Sequence, residues 1–453
     1  MVEAIVTKMD YDLFVIGAGP GGLAAAERAA SYGARVAIAE RDQVGGTCVV
    51  HGCVPEKMMT YAAGFSCVLQ NADEYGWNKV PLQFNWSQFM QTRNQNIGHL
   101  SQVHVHHLQE AGIDLLYGSA VFVDAHTITI NDRQITADKV LVAVGAKSIT
   151  PPILGIEQAL TMRDLLCLNQ HPEHLAIIGS NHIATKFAGI MNGLICKVTQ
   201  IVEEELVLPN CDYDLRTAVQ AGLSKEGVQV LTETQVKAIE KQPDSLLLTL
   251  AGNTTEPITV DTVVYATKRI ANVDSLDLDR AEVKVQQGSI AVDDYSRTSQ
   301  PHIFAVGDCT ARPQWTPAAI AAGRAFADTE FGNNPKTISY DAIPYVVSTR
   351  PEAATIGLTE AQAHAQLNHA VRCYRKTFQP LFNLIGETDQ EAMLKMVVDA
   401  ESDRIVGAHM VGESATEIIQ MFAPALKAGV TKQDFDHSLG IHPSVGEEFF
   451  TLK

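Results

Sequence analysis

The stretch Leu13-Phe14-Val15-Ile16-Gly17-Ala18-Gly19-Pro20-Gly21-Gly22 leaves this chain few folds. It places an apolar run before a glycine turn and follows the turn with the Ala-rich run Leu23 to Ser31, closed by Gly33. The apolar run reads as a buried strand and the Ala-rich run as a helix. Strand, glycine turn and helix in that order open a doubly wound α/β unit that holds a dinucleotide. Gly17 permits the tight turn, Gly19 lets a pyrophosphate approach the backbone, and Gly22 allows close helix packing. The helix start offers amide donors to the phosphates. Glu40 ends the next strand, Arg35-Val36-Ala37-Ile38-Ala39-Glu40, eighteen positions after Gly22, where an acid accepts from a ribose 2′-hydroxyl.

Just downstream, Gly45-Gly46-Thr47-Cys48-Val49-Val50-His51-Gly52-Cys53-Val54-Pro55 sets two cysteines five positions apart. So short a loop gains little from a structural cross-link, which favours a redox role. Disulfide exchange needs one exposed sulfur to meet the substrate and a second to resolve the mixed disulfide. Beside a dinucleotide fingerprint, the pair points to flavin-linked disulfide chemistry, with the second sulfur facing the flavin. Cys67, Cys167, Cys196, Cys211, Cys309 and Cys373 are isolated and lack metal-ligand spacing. They read as buried small apolar residues or surface thiols, and no metal is expected.

At 453 residues the chain has room for about three domains. A net charge of -18 opposes nucleic-acid binding, which needs basic patches. Met1 to Tyr11 carries Glu3, Lys8 and Asp10 in place of a signal peptide's apolar core, and no apolar run approaches a membrane span. A cytoplasmic enzyme is the expectation, and paired cysteines in that compartment are catalytic more often than structural.

Two further segments complete a pattern: Ile303-Phe304-Ala305-Val306-Gly307-Asp308, and Asp434-Phe435-Asp436 through Ile441-His442-Pro443-Ser444-Val445-Gly446-Glu447-Glu448. With them the chain resembles, almost end to end, the flavoprotein disulfide reductases, and within these most closely the glutathione reductases. The resemblance implies an α/β fold of two Rossmann-like nucleotide-binding domains plus a C-terminal α+β dimerisation domain. It also implies FAD as cofactor and a homodimer. Cys48 would be the interchange thiol and Cys53 the thiol against the flavin. His442, oriented by Glu447, would be the acid-base group that serves the partner subunit's flavin site; imidazole titrates near neutral pH and a carboxylate fixes its tautomer. Asp308 would bind the ribityl chain. The full cofactor-binding set becomes Gly17, Gly19, Pro20, Gly21, Gly22, Glu40, Gly46, Thr47, Cys48, Ala120, Gly145, Asp308, Thr316 and His442. By this reading the flavin domain covers 1–146 and 272–336, the nucleotide-type domain 147–271 and the interface domain 337–453.

Between the flavin segments, the strands Leu175 to Gly179 and Lys197 to Val202 flank a helix containing Phe187 to Met191, a second nucleotide-type unit. Its turn departs from the family's three glycines, reading Gly179-Ser180-Asn181-His182-Ile183-Ala184. Asn181 should crowd a pyrophosphate unless the turn shifts. The two arginines that clamp the 2′-phosphate of NADPH in glutathione reductases correspond to Glu203 and Pro209, and a carboxylate repels that phosphate. The acidic run Glu203 to Glu205 fits either a switch to NADH or a solvated loop on a site without its ligand. Lys268 and Ala271 replace a glycine and a proline of the family, and Lys268 either supplies positive charge to a pyrophosphate or plugs the pocket.

Other departures touch the flavin and the substrate. Glu56 and Lys186 exchange the signs of a family lysine and glutamate; because both change together, a reversed ion pair is expected, against an exposed carboxylate at a helix start. Glu27 and His104 stand where glutathione reductases grip glutathione through an arginine and a tyrosine. Arg324 is retained as a substrate-binding residue, and Arg28 lies beside Glu27 as a substitute cation. His104, His106 and His107 read as a polar helix face. Three functions follow: a pyridine-nucleotide disulfide reductase, with NADH or NADPH open as donor; a disulfide oxidoreductase coupled to another donor such as an iron-sulfur protein; and a flavin-bearing sensor. Cys48, Cys53, His442 and Glu447 argue against the sensor. The substrate expected is a small thiol or disulfide.

Overall fold

The first strand, Tyr11–Ile16, presents Leu13 and Val15 to one buried layer and Phe14 and Ile16 to another. That is why its apolar run does not alternate with polar residues. The computed structural model describes residues 9–367, 370–386 and 389–453; most of the N-terminal segment read above, Met1 to Lys8, lies outside them. Among the described residues no helix is long and apolar enough to cross a membrane. The chain divides into two compact units, each built from separated segments: 9–56, 89–149 and 268–340 in the first, and 57–88, 150–267 and the described part of 341–453 in the second.

The first unit centres on a sheet in which Asp114–Tyr117, Val36–Glu40, Tyr11–Ile16, Arg133–Val142 and Ile303–Ala305 run parallel. An antiparallel flap, Thr127–Ile130 and Val121–Phe122, extends from Arg133–Val142. The helices Pro20–Ser31 and Thr316–Glu330 cross at two glycines. A Cβ on Gly323 would lie 2.2 Å from the Gly21 carbonyl oxygen. The first helix begins at Pro20, ahead of the Ala-rich run, because proline in the first turn lacks only an N–H that has no partner within the helix.

The second unit contains a five-stranded parallel sheet in the order Gln229–Leu231, Lys197–Ile201, His174–Ile178, Thr262–Tyr265, Leu160–Thr161. The helix His182–Gly193 follows its central strand. Its C-terminal region forms a five-stranded antiparallel sheet, Tyr345–Val347, Ala353–Gly357, Ile405–Val411, Ala392–Asp399 and Val371–Phe378. Lys395 of this sheet is fully buried and reaches Asp212, Asp214 and Glu360 at 2.6 to 2.8 Å. Asp212 also caps the helix Tyr213–Lys225, so one ionic cluster fastens that helix to the sheet.

Candidate active site

In the first unit the nucleotide turn and the cysteine turn are built against each other. Gly17 sits at φ +105°, and a Cβ there would lie 2.6 Å from the Ala143 carbonyl oxygen. On Gly22 a Cβ would lie 2.0 Å from the Gly17 carbonyl oxygen, so the helix starts this close to its strand only with glycine. Gly46, at φ +59°, backs onto Gly19, and the Gly45 amide donates to the Ala18 carbonyl at 2.9 Å. Glu40 is almost fully buried; its carboxylate accepts from the Ala18 and Asp42 amides, both at 2.9 Å. It therefore braces the nucleotide turn.

Thr47–His51 form one wide helical turn, and Gly52 leads into the helix Cys53–Gln70. Val49 and Val50 pack on Ile97 and Leu100 of the helix Trp86–Glu110, which anchors the turn that carries Cys48. Both cysteines are unbridged, Cys48 half-buried and Cys53 exposed. Cys53 Sγ lies 3.6 Å from Thr316 Oγ1 at the start of Thr316–Glu330. The Cys48 thiol is held above its ordinary range by its bond with Cys53, by burial and by the nearby charge of Glu56, while Thr316 opposes the shift.

Asp308 follows the strand Ile303–Ala305, and burial pushes its carboxyl up. Arg269 opposes this with an ion pair at 3.0 Å and also donates to the Ala146 carbonyl. Sequence reasoning gave Arg269 no role. Its only signal was a cation in a segment already singled out for departures. Gly145 adopts φ +68° with open space where a Cβ would stand. The Ala120 side chain is in the core, so any ligand contact there comes from the backbone. Arg324 is exposed on Thr316–Glu330. Arg28, beside Glu27, pairs with Asp328 at 2.6 Å.

In the second unit, the Glu447 carboxylate oxygens each lie 3.1 Å from His442 Nδ1, and the Ser444 amide donates to Glu447 Oε1. That amide bond is the main reason the Glu447 carboxyl lies below its ordinary range. His442 is largely exposed, a histidine with its orienting acid and an open face. Glu203, Glu204 and Glu205 are exposed. Glu56 and Lys186 fall in different compact units. Among the described residues no group of three His, Cys, Asp or Glu side chains could hold a metal.

A nucleotide turn joined to a two-cysteine turn, with a separate histidine-glutamate pair, defines a flavin-linked thiol-disulfide enzyme. The family model for pyridine nucleotide-disulphide oxidoreductase matches residues 11–323, and that for the dimerisation domain of the same family matches 343–452. The chain belongs to the pyridine nucleotide-disulphide oxidoreductases. It is a flavoprotein disulfide oxidoreductase of the glutathione-reductase-like kind. It is 48% identical over 456 residues to the glutathione reductase of Nostoc sp. strain PCC 7120, covering 98% of this chain and 99% of that one. It is 40% identical to the glutathione reductase of Burkholderia cepacia, over 98% and 99% of the two chains. Among solved structures, the HOCl-induced flavoprotein disulfide reductase RclA from Escherichia coli matches with a TM-score of 0.88 at 25% identity, over 98% and 99% of the two chains.

The family implies two cofactors, and the two turns receive them differently. At the first, the helix N-terminus has Gly19 as its cap residue and no side-chain cap, and a Cβ on Gly19 would meet nothing closer than 3.9 Å. FAD fits there. At the second, Asn181 Oδ1 accepts from the Ile183 and Ala184 amides at 2.9 and 3.0 Å, and its Nδ2 donates to the Ala266 and Thr267 carbonyls at 2.7 Å. The donors a pyrophosphate requires are engaged, so a pyridine dinucleotide does not fit this turn.

Proposed function

We propose that the chain is an FAD-dependent disulfide oxidoreductase that exchanges electrons between flavin, the Cys48/Cys53 pair and a small thiol or disulfide substrate, acting as a homodimer. The observation that carries this reading is the two-cysteine turn backed against the glycine fingerprint, with both cysteines unbridged and Cys53 Sγ 3.6 Å from Thr316 Oγ1. In this reading FAD is held by Gly17, Gly19, Pro20, Gly21, Gly22, Glu40, Gly46, Thr47, Ala120, Gly145, Asp308 and Thr316, in a domain formed by 1–146 and 272–336. The nucleotide-type domain is 147–271 and the interface domain 337–453. FAD held there would exchange an electron pair with the Cys48/Cys53 couple, accepting it from the dithiol form and returning it, once reduced, to the disulfide form.

The protein's own groups carry the rest. The Cys48 thiol keeps its proton at neutral pH, so its attack needs a base, and imidazole held by Glu447 is suited to that task. The Cys48 thiolate attacks one sulfur of the substrate disulfide. The substrate S–S bond breaks, a Cys48 mixed disulfide forms, and the departing thiolate takes a proton from the His442 imidazolium. Cys53 then gives up its proton and attacks Cys48 Sγ; the Cys48–substrate S–S bond breaks, the second substrate thiolate leaves and takes that proton, and the Cys48–Cys53 disulfide closes. Arg324 is the substrate-binding cation of this reading. The filled second turn favours a thiol or protein donor over NADH as the source of electrons, and either route would share this thiol half. The test is anaerobic titration with dithiothreitol of wild type, Cys48→Ser and Cys53→Ser. The expected result is a wild-type flavin spectrum that changes in proportion to dithiol, with the long-wavelength thiolate-flavin band absent in Cys53→Ser. A wild-type spectrum indifferent to dithiol would remove the proposal.

A further inference from the structure

The two nucleotide turns of this chain share a backbone and differ in one side chain. Gly19 caps its helix at φ −81°, ψ 179°, and Asn181 caps the other at φ −72°, ψ 174°. Gly17 and Gly179 both take positive φ, +105° and +139°. A Cβ on either would strike the carbonyl of the adjoining strand end, Ala143 at 2.6 Å or Ala266 at 2.4 Å. The second turn has therefore kept the shape of a dinucleotide turn. The Asn181 carboxamide occupies the place the first turn leaves to a pyrophosphate. Its oxygen takes two amides at the helix N-terminus and its nitrogen spans to the carbonyls of 266 and 267, so all of its strong hydrogen-bonding capacity is spent inside the turn. A phosphate entering here would have to displace the carboxamide and leave the 266 and 267 carbonyls without those donors.

We infer that Asn181 is an internal plug that closes the second nucleotide unit to pyridine dinucleotides, so that reducing equivalents reach the flavin-disulfide centre from a dithiol. The plug acts on NADH as well as NADPH, because both carry the pyrophosphate, whereas Glu203 opposes only the 2′-phosphate. The proposal deepens the disulfide oxidoreductase reading and rests on it for the electron route. A dithiol closes to its own disulfide as the Cys48–Cys53 disulfide opens to two thiols, so two electrons and two protons move and no other reductant is required.

The test is titration calorimetry of NADH and NADPH into the purified protein, wild type and Asn181→Gly. Glycine is tolerated at helix caps, so the fold is kept, which far-UV circular dichroism checks. Asn181→Ser, which keeps a capping oxygen but lacks the spanning amide, is the second variant. The expected result is no wild-type binding at millimolar nucleotide, NADH binding at least tenfold tighter in Asn181→Gly, and Asn181→Ser between the two. Wild-type binding of either nucleotide in the micromolar range would overturn the plug, as would an Asn181→Gly protein that binds no better than wild type. Binding needs no electron transfer, so a flavin that ignores dithiothreitol would overturn the disulfide reading while this result still decides the plug.

Discussion

At the scale of single residues, the chemistry turns on charges set close to Cys48 and Asp308. Glu56 and the Cys53 bond both hold the Cys48 proton in place, so Glu56→Gln lowers the pKa of that thiol and raises its thiolate fraction. Alkylation of the reduced protein by iodoacetamide at pH 8 should quicken about two- to fivefold at Cys48, read by mass spectrometry. An unchanged rate would mean that Glu56 does not act on this sulfur. Asp308 has its pKa raised by burial and is restrained by Arg269. Removing the guanidinium in Arg269→Met leaves a partly buried carboxylate alone, at about 1–3 kcal/mol near pH 7. A raised acid favours the fold in its protonated form. The Arg269→Met loss should therefore shrink as pH falls through the Asp308 titration, and thermal melts at pH 7.5 and pH 5 measure the difference. A loss equal at both would contradict the assignment.

At the scale of elements, two contacts bear most weight. The Gly21 and Gly323 crossing admits no Cβ on Gly323. Gly323→Ala must push the two helices apart and should cost about 1–3 kcal/mol, seen as a lower Tm together with weaker flavin retention. Unchanged melting would mean that the crossing is looser than 2.2 Å implies. Lys395 sits fully buried among Asp212, Asp214 and Glu360. Lys395→Met leaves the buried Asp212 carboxylate without its lysine, while Arg375 still holds Asp214 and Glu360, at about 3–5 kcal/mol. The Glu360 carboxyl is lowered to about 2 by Lys395 and Arg375, against the burial that raises it. A lowered acid stabilises the fold above its unfolded pKa and loses that contribution as pH falls toward about 2. The wild-type acid-unfolding limb should therefore flatten in Lys395→Met.

What the sequence made legible at these two scales was local. The first strand, the glycine turn, the two-cysteine loop and the spacing of His442 and Glu447 are continuous stretches with fixed hydrogen-bond geometry. The Arg269 and Asp308 pair was not legible, because its partners meet only once two strands far apart in sequence pair, Arg269–Ala271 against Ala146–Ser148. Asn181 was readable as an obstacle to phosphate. That its amide would turn into the helix and span to 266 and 267 depends on the neighbouring strand, which no local pattern specifies. The pairing of Arg28 with Asp328 was hidden for the same reason, since the partner lies three hundred positions away.

Across the whole molecule, the proposed arrangement keeps a flavin-disulfide centre and closes a nucleotide entrance. If His442 serves the partner's centre, each homodimer holds two sites made from different protomers. Mixing Cys48→Ser and His442→Ala chains at random should then restore roughly a quarter of wild-type disulfide reduction, because half the dimers are hybrid and each hybrid has one whole site. No recovery would assign His442 to its own chain's site. The most direct measurement is one anaerobic titration in which NADPH, NADH and dithiothreitol are added in that order to the same sample. The account predicts a flavin spectrum unmoved by the first two and reduced by the third; bleaching by either nucleotide, or indifference to the dithiol, would contradict it.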